Sequence, residues 1–378
     1  MIIKNASVYT ENGIFLTKDI YMDGDRFVDC EEQVHDAQVL DAAGCYAIPG
    51  LTDIHFHGCM GYDFCDGTRE AVDAMAVYEA SVGVTNIVPA TMTLPEEMLL
   101  GICKTARAYR EDGAQEKKAR FHGINMEGPF VSQAKKGAQN GAYIRKPDPE
   151  MFDRLNDASG GCVKLLAIAP EEEGAMELIE KQHAQTVISL AHTCADYDTA
   201  MRAFEKGARH VTHLYNAMNP YTHRAPGPIG AAADTAEAEV ELICDGVHIH
   251  PAAVRTTFKI FGDDRIILIS DSMRATGLAD GEYTLGGQDV KVTGNLAALS
   301  DGTIAGSVTN LLDCMRTAVL SMGIPLESAV KCAAVNPARS VGIYAEHGSI
   351  SAGKKADVVL LKKDGLVLQQ VILDGRLL

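Results

Sequence analysis

The sequence predicts an α/β fold: a (β/α)8 TIM barrel with a small β-sandwich formed by both chain termini. Three observations predict it. Eight short apolar runs alternate with helical patterns through the middle of the 378-residue chain. Near-continuous apolar strands alternating with helices imply a parallel sheet covered on both faces, and eight of them favour closure. The stretch 53–344 has the size of a barrel of about 250 residues with insertions. The flanking stretches 1–52 and 345–378 are each too short for a stable domain, but share a strand-and-turn texture that suits one joint sandwich.

The chain opens on short strands, MIIKNASVYT, DIYMDGDRFVDC and QVLDAAGCYAIPG, with a tight-turn Asp-Gly at 23–24. The eight runs follow: LTDIHFH (51–57), TNIVPA (85–90), RFHGINME (120–127), VKLLAIAP (163–170), QTVISLAH (185–192), RHVTH (209–213), VELICDG (240–246) and DRIILISD (264–271). Helical patterns lie between most of them. In TAMRAFEKGARH, Met201, Phe204 and Ala208 recur at helical spacing, and Gly207 serves as the C-terminal cap, as Gly83 does before the second run. The segment 282–299, with Gly286-Gly287, reads as a hairpin above the barrel. The chain closes on strand-like GSISAGKKADVVLL and LVLQQVILDGRLL.

The formal charge is −17, from 34 Lys and Arg against 51 Asp and Glu. Such an acidic balance argues against a nucleic-acid partner or an anionic membrane surface. Tryptophan is absent, which counts against stacking platforms for single strands. The ten cysteines show no CxxC pair, and Cys162, Cys194 and Cys244 lie in apolar runs, so they read as reduced and structural. No apolar run reaches the roughly 18 residues of a spanning helix. The start lacks the layout of a signal peptide, so a soluble, cytoplasmic protein is expected.

The chemistry gathers at the ends of the runs. His55 and His57 close the first, Glu127 the third, His192 the fifth, His213 the sixth and Asp271 the eighth. In a closed barrel those ends meet at one face. Alternate residues of a strand point the same way, so both imidazoles of HFH can reach one ion. Neutral histidine and carboxylate suit zinc, iron or manganese, and a vacant position for water makes such a site catalytic. The approach to Glu127 buries a carboxylate that needs a cation, and Asp271 is placed to move a proton. Taken singly, HFH also fits a satisfied core pair, and each acid a helix cap. His122, His183 and His210 lack the register and read as structural or solvent-facing. Lys135 and Lys136 read as solvated.

The motifs PGLTDIHFHG, HGINMEGPF with KKGAQN, LAHT, VTHLYNAMNP with HRAPG, CDGVHIHP and ISDSM resemble the metal-dependent amidohydrolase superfamily. Within it they are similar to the N-acetylglucosamine-6-phosphate deacetylase family, over almost the whole chain. The resemblance implies that Glu127, His192 and His213 hold a primary divalent metal. His55 and His57 then complete a second site with Glu127 bridging, so one or two ions are expected. It implies that Asp271 is general base and acid in hydrolysing the amide to glucosamine-6-phosphate and acetate. Ala138, Gln139, Asn216 and Ala217 fall at substrate contacts, Arg224 and His248 at the phosphate, and Ala305, Gly306 and Ser307 along the pocket. A homodimer is implied as well, with one phosphate partner reaching across its interface.

There is one departure. One-metal relatives carry histidine where this chain has Gln139, and an amide donates a hydrogen bond but is never cationic. Three rivals remain: an N-acetylgalactosamine-6-phosphate deacetylase, another amidohydrolase such as a cyclic-amide hydrolase, and a barrel that has lost its metal. The second needs a lysine at the end of the fourth run, whereas Lys164 is near its start. The third should show broken ligands.

Overall fold

The computed structural model describes residues 1–35, 38–113 and 116–378. Both chain ends meet in one eight-stranded sheet. Its N-terminal strands are Ile2–Tyr9, Phe15–Asp23, Arg26–Val28, Val39–Asp41 and Cys45–Pro49; its C-terminal ones are Val358–Lys362, Leu368–Leu373 and Arg376–Leu377. The Asp-Gly turn falls where expected, with Asp23 opposite Arg26 and Gly24 left-handed at φ 57°. Cys45–Pro49 pairs antiparallel with Val358–Lys362, Ala47 facing Leu360, and this stitches the two ends together. The sheet buries a core of its own, around Ile3, Val8, Met22, Phe27, Val358 and Ile372.

All eight apolar runs contribute a parallel strand. In order these are Leu51–Asp53, Val84–Ile87, Arg120–Phe121 with Ile124–Met126, Val163–Ile168, Val187–Leu190, His210–Val211, Glu239–Ile243 and Ile266–Ile269. Neighbours in that order pair in parallel, and the second and third runs meet again at Ala90 and Asn125. Past the eighth strand, the Asp271 N–H donates to the His55 carbonyl at 2.9 Å, so the last run meets the first. Side chains alternate between two apolar clusters: Ile266 and Leu268 pack on one, Ile267 and Ile269 on the other. Burial on both faces is why these strands read as continuous apolar runs.

The helix Arg69–Ser81 starts on Thr68, whose hydroxyl accepts from the Ala71 N–H at 3.2 Å. It ends before Gly83, at φ 90°, where a Cβ would come within 3.2 Å of the Val359 methyls. Glycine there allows both the turn and the approach of the terminal sheet. The helix Tyr197–Glu205 matches the expected one, with Gly207 following at φ 110°. The segment expected as a hairpin carries a third strand: Gly281–Leu285, Gln288–Thr293 and Leu296–Ala298, antiparallel throughout. All ten cysteines are unpaired. No helix among the described residues is long and apolar enough to cross a membrane.

A buried ion pair joins the terminal sheet to the third run. The Arg120 guanidinium donates to both oxygens of Asp357, at 2.6 and 3.0 Å, and also to Asp374. Burial alone would raise the Asp357 pKa, but His347 and Arg120 outweigh it and hold it at about 2. Its contribution to stability is therefore whole above the unfolded carboxylate value of about 3.9, and is lost as pH falls from there toward the folded value. Arg120→Ala strands the buried carboxylate and should cost about 3–5 kcal/mol. Thermal denaturation at neutral pH checks this; an unchanged Tm would refute it.

Candidate active site

The strands stop short of the candidate ligands. The first ends at Asp53, the fifth at Leu190, the sixth at Val211 and the eighth at Ile269, so His55, His57, His192, His213 and Asp271 lie on the backbone just beyond. The same-side argument for HFH therefore does not apply as a strand rule, yet the two rings still lie only 5.5 Å apart. His192, His213 and Asp271 have left-handed φ of 44°, 28° and 50°. Non-glycine residues rarely adopt such angles without surrounding structure that compels them, and such strain clusters at functional sites.

Glu127 is the hub. Its Oε1 lies 3.1 Å from Nε2 of His192, 3.0 Å from Nε2 of His213 and 3.5 Å from Nε2 of His55. Its Oε2 lies 3.4 Å from Nε2 of His57. Nε2 of His57 is in turn 3.2 Å from Oδ1 of Asp271. The side chains form two groups, Glu127 with His192 and His213, and Asp271 with His55 and His57; in each, the ligand atoms lie within 4.8 Å of one another. All six residues are buried.

The hydrogen bonds of these residues fit a metal. Nδ1 of His192 lies 2.9 Å from the Lys135 carbonyl, which only accepts, so Nδ1 carries the hydrogen. In the neutral ring Nε2 then presents a lone pair to a carboxylate oxygen and, 3.2 Å away, to Nε2 of His213. Buried acceptors face one another, and Nε2 of His55 has no hydrogen-bond partner. A cation resolves that arrangement, and nitrogen with carboxylate oxygen is the donor set of a borderline divalent ion. Without one, protons take its place: burial opposes charge on His55, but Glu241 and Glu127 outweigh it and raise its pKa well above the usual value. Burial would raise the Asp271 carboxyl, yet His57 and His55 pull it below the usual range, so it stays a carboxylate able to accept a proton.

These groups open into a cavity of about 260 Å³ whose lining includes His57, Glu127, Ala138, Gln139, His192, His213, Asn216, Ala217, His248, Asp271 and Gly306. His248 is backed by Asp245, with Nδ1 to Oδ2 at 2.7 Å. Burial opposes its charge, but the Asp245 contact prevails and the imidazole pKa is raised. Gln139 is committed at both ends of its amide. Its Oε1 accepts from the Thr93 N–H and its Nε2 donates to Oε2 of Glu127, both at 2.6 Å. The amide thus steadies the Glu127 carboxylate.

Other candidates fall elsewhere. Ala305 is buried outside the cavity lining. The Ser307 hydroxyl donates to the Ser270 carbonyl at 2.6 Å, and its N–H to the Asp271 carbonyl at 2.7 Å, so Ser307 anchors the turn carrying Asp271. Arg224 lines a separate depression with Asp198, Asn219 and Thr222. Lys135, read as solvated, lends its carbonyl to His192. His210, read as structural or solvent-facing, is fully buried with Nε2 3.1 Å from Oε1 of Glu241. His122 bonds Asn86 Oδ1 through Nε2 at 2.8 Å, away from the cavity.

Sequence reasoning missed Glu241 and Glu171. Glu171 accepts from the Thr193 hydroxyl and the Cys194 N–H, holding the turn after His192. Glu241 sits inside the apolar run VELICDG, and an acid in the middle of a doubly buried strand was the available signal.

Residues 46–378 match the amidohydrolase family. The chain is 35% identical over 372 residues to an N-acetylglucosamine-6-phosphate deacetylase of Bacillus subtilis (strain 168), covering 96% of this chain and 93% of that protein. It is 34% identical over 330 residues to an N-acetylgalactosamine-6-phosphate deacetylase of Escherichia coli O157:H7, covering 87% and 86%. Among solved structures, a mutant N-acetyl-D-glucosamine-6-phosphate deacetylase of Mycobacterium smegmatis, in complex with N-acetyl-D-glucosamine-6-phosphate, superposes with a TM-score of 0.92. That match has 33% identity and covers 100% of this chain and 98% of the other. The Thermotoga maritima N-acetylglucosamine-6-phosphate deacetylase gives 0.89 at 28% identity, covering 100% and 99%.

Proposed function

Because the chain belongs to the amidohydrolase family, we propose that it removes the acetyl group of N-acetylglucosamine-6-phosphate, yielding glucosamine-6-phosphate and acetate. It is a hydrolase acting on an N-acetyl amide. The observation that carries the assignment is Glu127, whose carboxylate lies within 3.5 Å of a ring nitrogen of all four histidines and lines one cavity with His57, His192 and His213. The fold is α/β and matches the solved deacetylases. We read its parallel strands as a closed (β/α)8 barrel over 53–344 and the terminal sheet as a β-sandwich of 1–52 and 345–378. The separate apolar core of the terminal sheet supports that division.

Glu127, His192 and His213 would hold a primary divalent ion, and His55 and His57 a second with Glu127 between them. An ion there supplies Lewis acidity, polarising the amide carbonyl and making water acidic near neutral pH. Asp271 takes the proton of the attacking water and returns it to the amine nitrogen, which leaves poorly as an anion. Gln139 keeps Glu127 in place. His248, its Nδ1 held by Asp245, directs its other nitrogen to the phosphate. The unpaired cysteines support a cytoplasmic location.

Arg224 grips the same phosphate from a second subunit of a homodimer, since in its own chain it lines a separate depression. Arg224→Ala should weaken the phosphorylated substrate by about 1.5–3 kcal/mol and leave the unphosphorylated analogue unaffected. Equal losses in kcat/KM would refute the role. Mixing it with an Asp271→Asn subunit should restore part of the activity if the arginine crosses the interface.

Acetate release from a panel of N-acetylated sugars, with and without 6-phosphate, tests the whole reading. N-acetylglucosamine-6-phosphate should be the best substrate. The Escherichia coli relative favours a second reading, in which the galacto epimer is best. Release from neither, by metal-replete protein, would overturn both.

A further inference from the structure

Behind the candidate ligands lies a carboxylate the reaction does not use. Glu241 stands in the seventh parallel strand, Glu239–Ile243, and is fully buried. Its Oε2 is 2.9 Å from Nδ1 of His55 and accepts from the backbone N–H of His213 at 3.0 Å. Its Oε1 lies 3.1 Å from Nε2 of His210. The Ser340 hydroxyl, 3.5 Å from the far nitrogen of His210, donates in turn to Glu239. Both Glu241 oxygens are thus engaged, and the carboxylate cannot turn away.

A carboxylate only accepts, so Nδ1 of His55 carries the hydrogen and Nε2 is left as a lone pair. That Nε2 is buried without a hydrogen-bond partner, 3.5 Å from Oε1 of Glu127 and 3.7 Å from Oδ1 of Asp271. Histidine ligands are commonly fixed in this way by a carboxylate on the other ring nitrogen, which also makes them more basic. The same Glu241 oxygen holds His213, a member of the other group, in its left-handed turn at φ 28°.

We infer that Glu241 is a positioning residue that commits His55 to the second metal position and sets the affinity of that position. The inference rests on the two-ion reading above. It assigns Glu241 no contact with substrate or ion.

The experiment is Zn2+ binding to the metal-stripped full chain, with stoichiometry from elemental analysis and affinity from chelator competition. Five proteins are compared: the parent, Glu241→Gln, Glu241→Ala, His55→Gln and the double variant of Glu241→Gln with His55→Gln. Glutamine keeps the shape, with its carbonyl toward His55 and His213 and its amide toward His210, but removes the charge. The parent should bind two Zn2+ and His55→Gln one. Glu241→Gln should bind the second ion about 10–100-fold more weakly, with the first unchanged. In the double variant, Glu241→Gln should add nothing to the loss already caused by His55→Gln. Glu241→Ala should lose the second ion altogether; if it fails to fold, the glutamine variant still decides.

Unchanged affinity for the second Zn2+ in Glu241→Gln would overturn the inference while leaving the two-ion reading intact. So would an equal further loss of the first ion in the His55→Gln background, which would show action through the fold. A parent that binds a single Zn2+, unaffected by His55→Gln, would instead overturn the two-ion reading itself.

Discussion

Asp271→Asn should leave the fold and metal content intact while lowering kcat by about 10²–10⁴-fold. The change is isosteric, and the anchors of this residue are backbone contacts that survive it: its N–H to the His55 carbonyl, and its carbonyl to the Ser307 N–H. What disappears is the carboxylate oxygen 3.2 Å from Nε2 of His57, held ionised by its histidine neighbours. An amide neither takes the proton from water nor returns one to the leaving amine. Steady-state kinetics with parallel metal analysis decides the matter. A metal-replete variant with turnover within about tenfold of the parent would show that the proton moves by another route.

Replacing His55 by Gln and His57 by Asn should remove one ion per chain and depress kcat by about 10²-fold or more, while Glu127, His192 and His213 retain the other. The ligand atoms of the remaining group lie within 4.8 Å of one another without the pair. Gln139 sharpens this expectation. Its carbonyl is held by Thr93 and one N–H by Glu127, which ties the amide to the Glu127 carboxylate, and an amide offers no positive charge for polarising the substrate carbonyl. Adding Gln139→His to the variant should recover part of the activity by offering an imidazole donor toward the cavity. In the parent the same change should gain nothing, because it unties Oε2 of Glu127. A one-ion variant with near-normal kcat would refute the account, and so would a rescue that works by restoring the second ion.

Much of this is legible in the sequence. Strands buried on both faces must be apolar on both, so the eight runs stood out whole. Polar residues that interrupt such a run at its end cannot be lost in an amphipathic pattern. That is why His55, His57, Glu127, His192, His213 and Asp271 could be named together. Hairpin and cap signals such as Gly24, Gly83 and Gly207 were legible too, because the left-handed angles they adopt are a property of the residue itself.

The rest depended on which distant segments the fold brings side by side. Glu241 reads in sequence like any acid within a strand, and its meaning comes from His55, 186 residues earlier, lying 2.9 Å away. Gln139 reads as a gap in a family pattern, and turns out to be a strut between Thr93 and Glu127. Ser307 looked like pocket lining and instead pins the turn of Asp271. Arg224, which the resemblance puts at the phosphate, lines another depression of its own chain. Composition and periodicity are local, so the sequence by itself determined the strand runs and the set of ligand types at their ends. Hydrogen bonds between residues far apart in the chain exist only once it is folded, so tertiary structure alone decided which nitrogen each histidine turns to the centre, which side chains brace it, and which candidates stand apart.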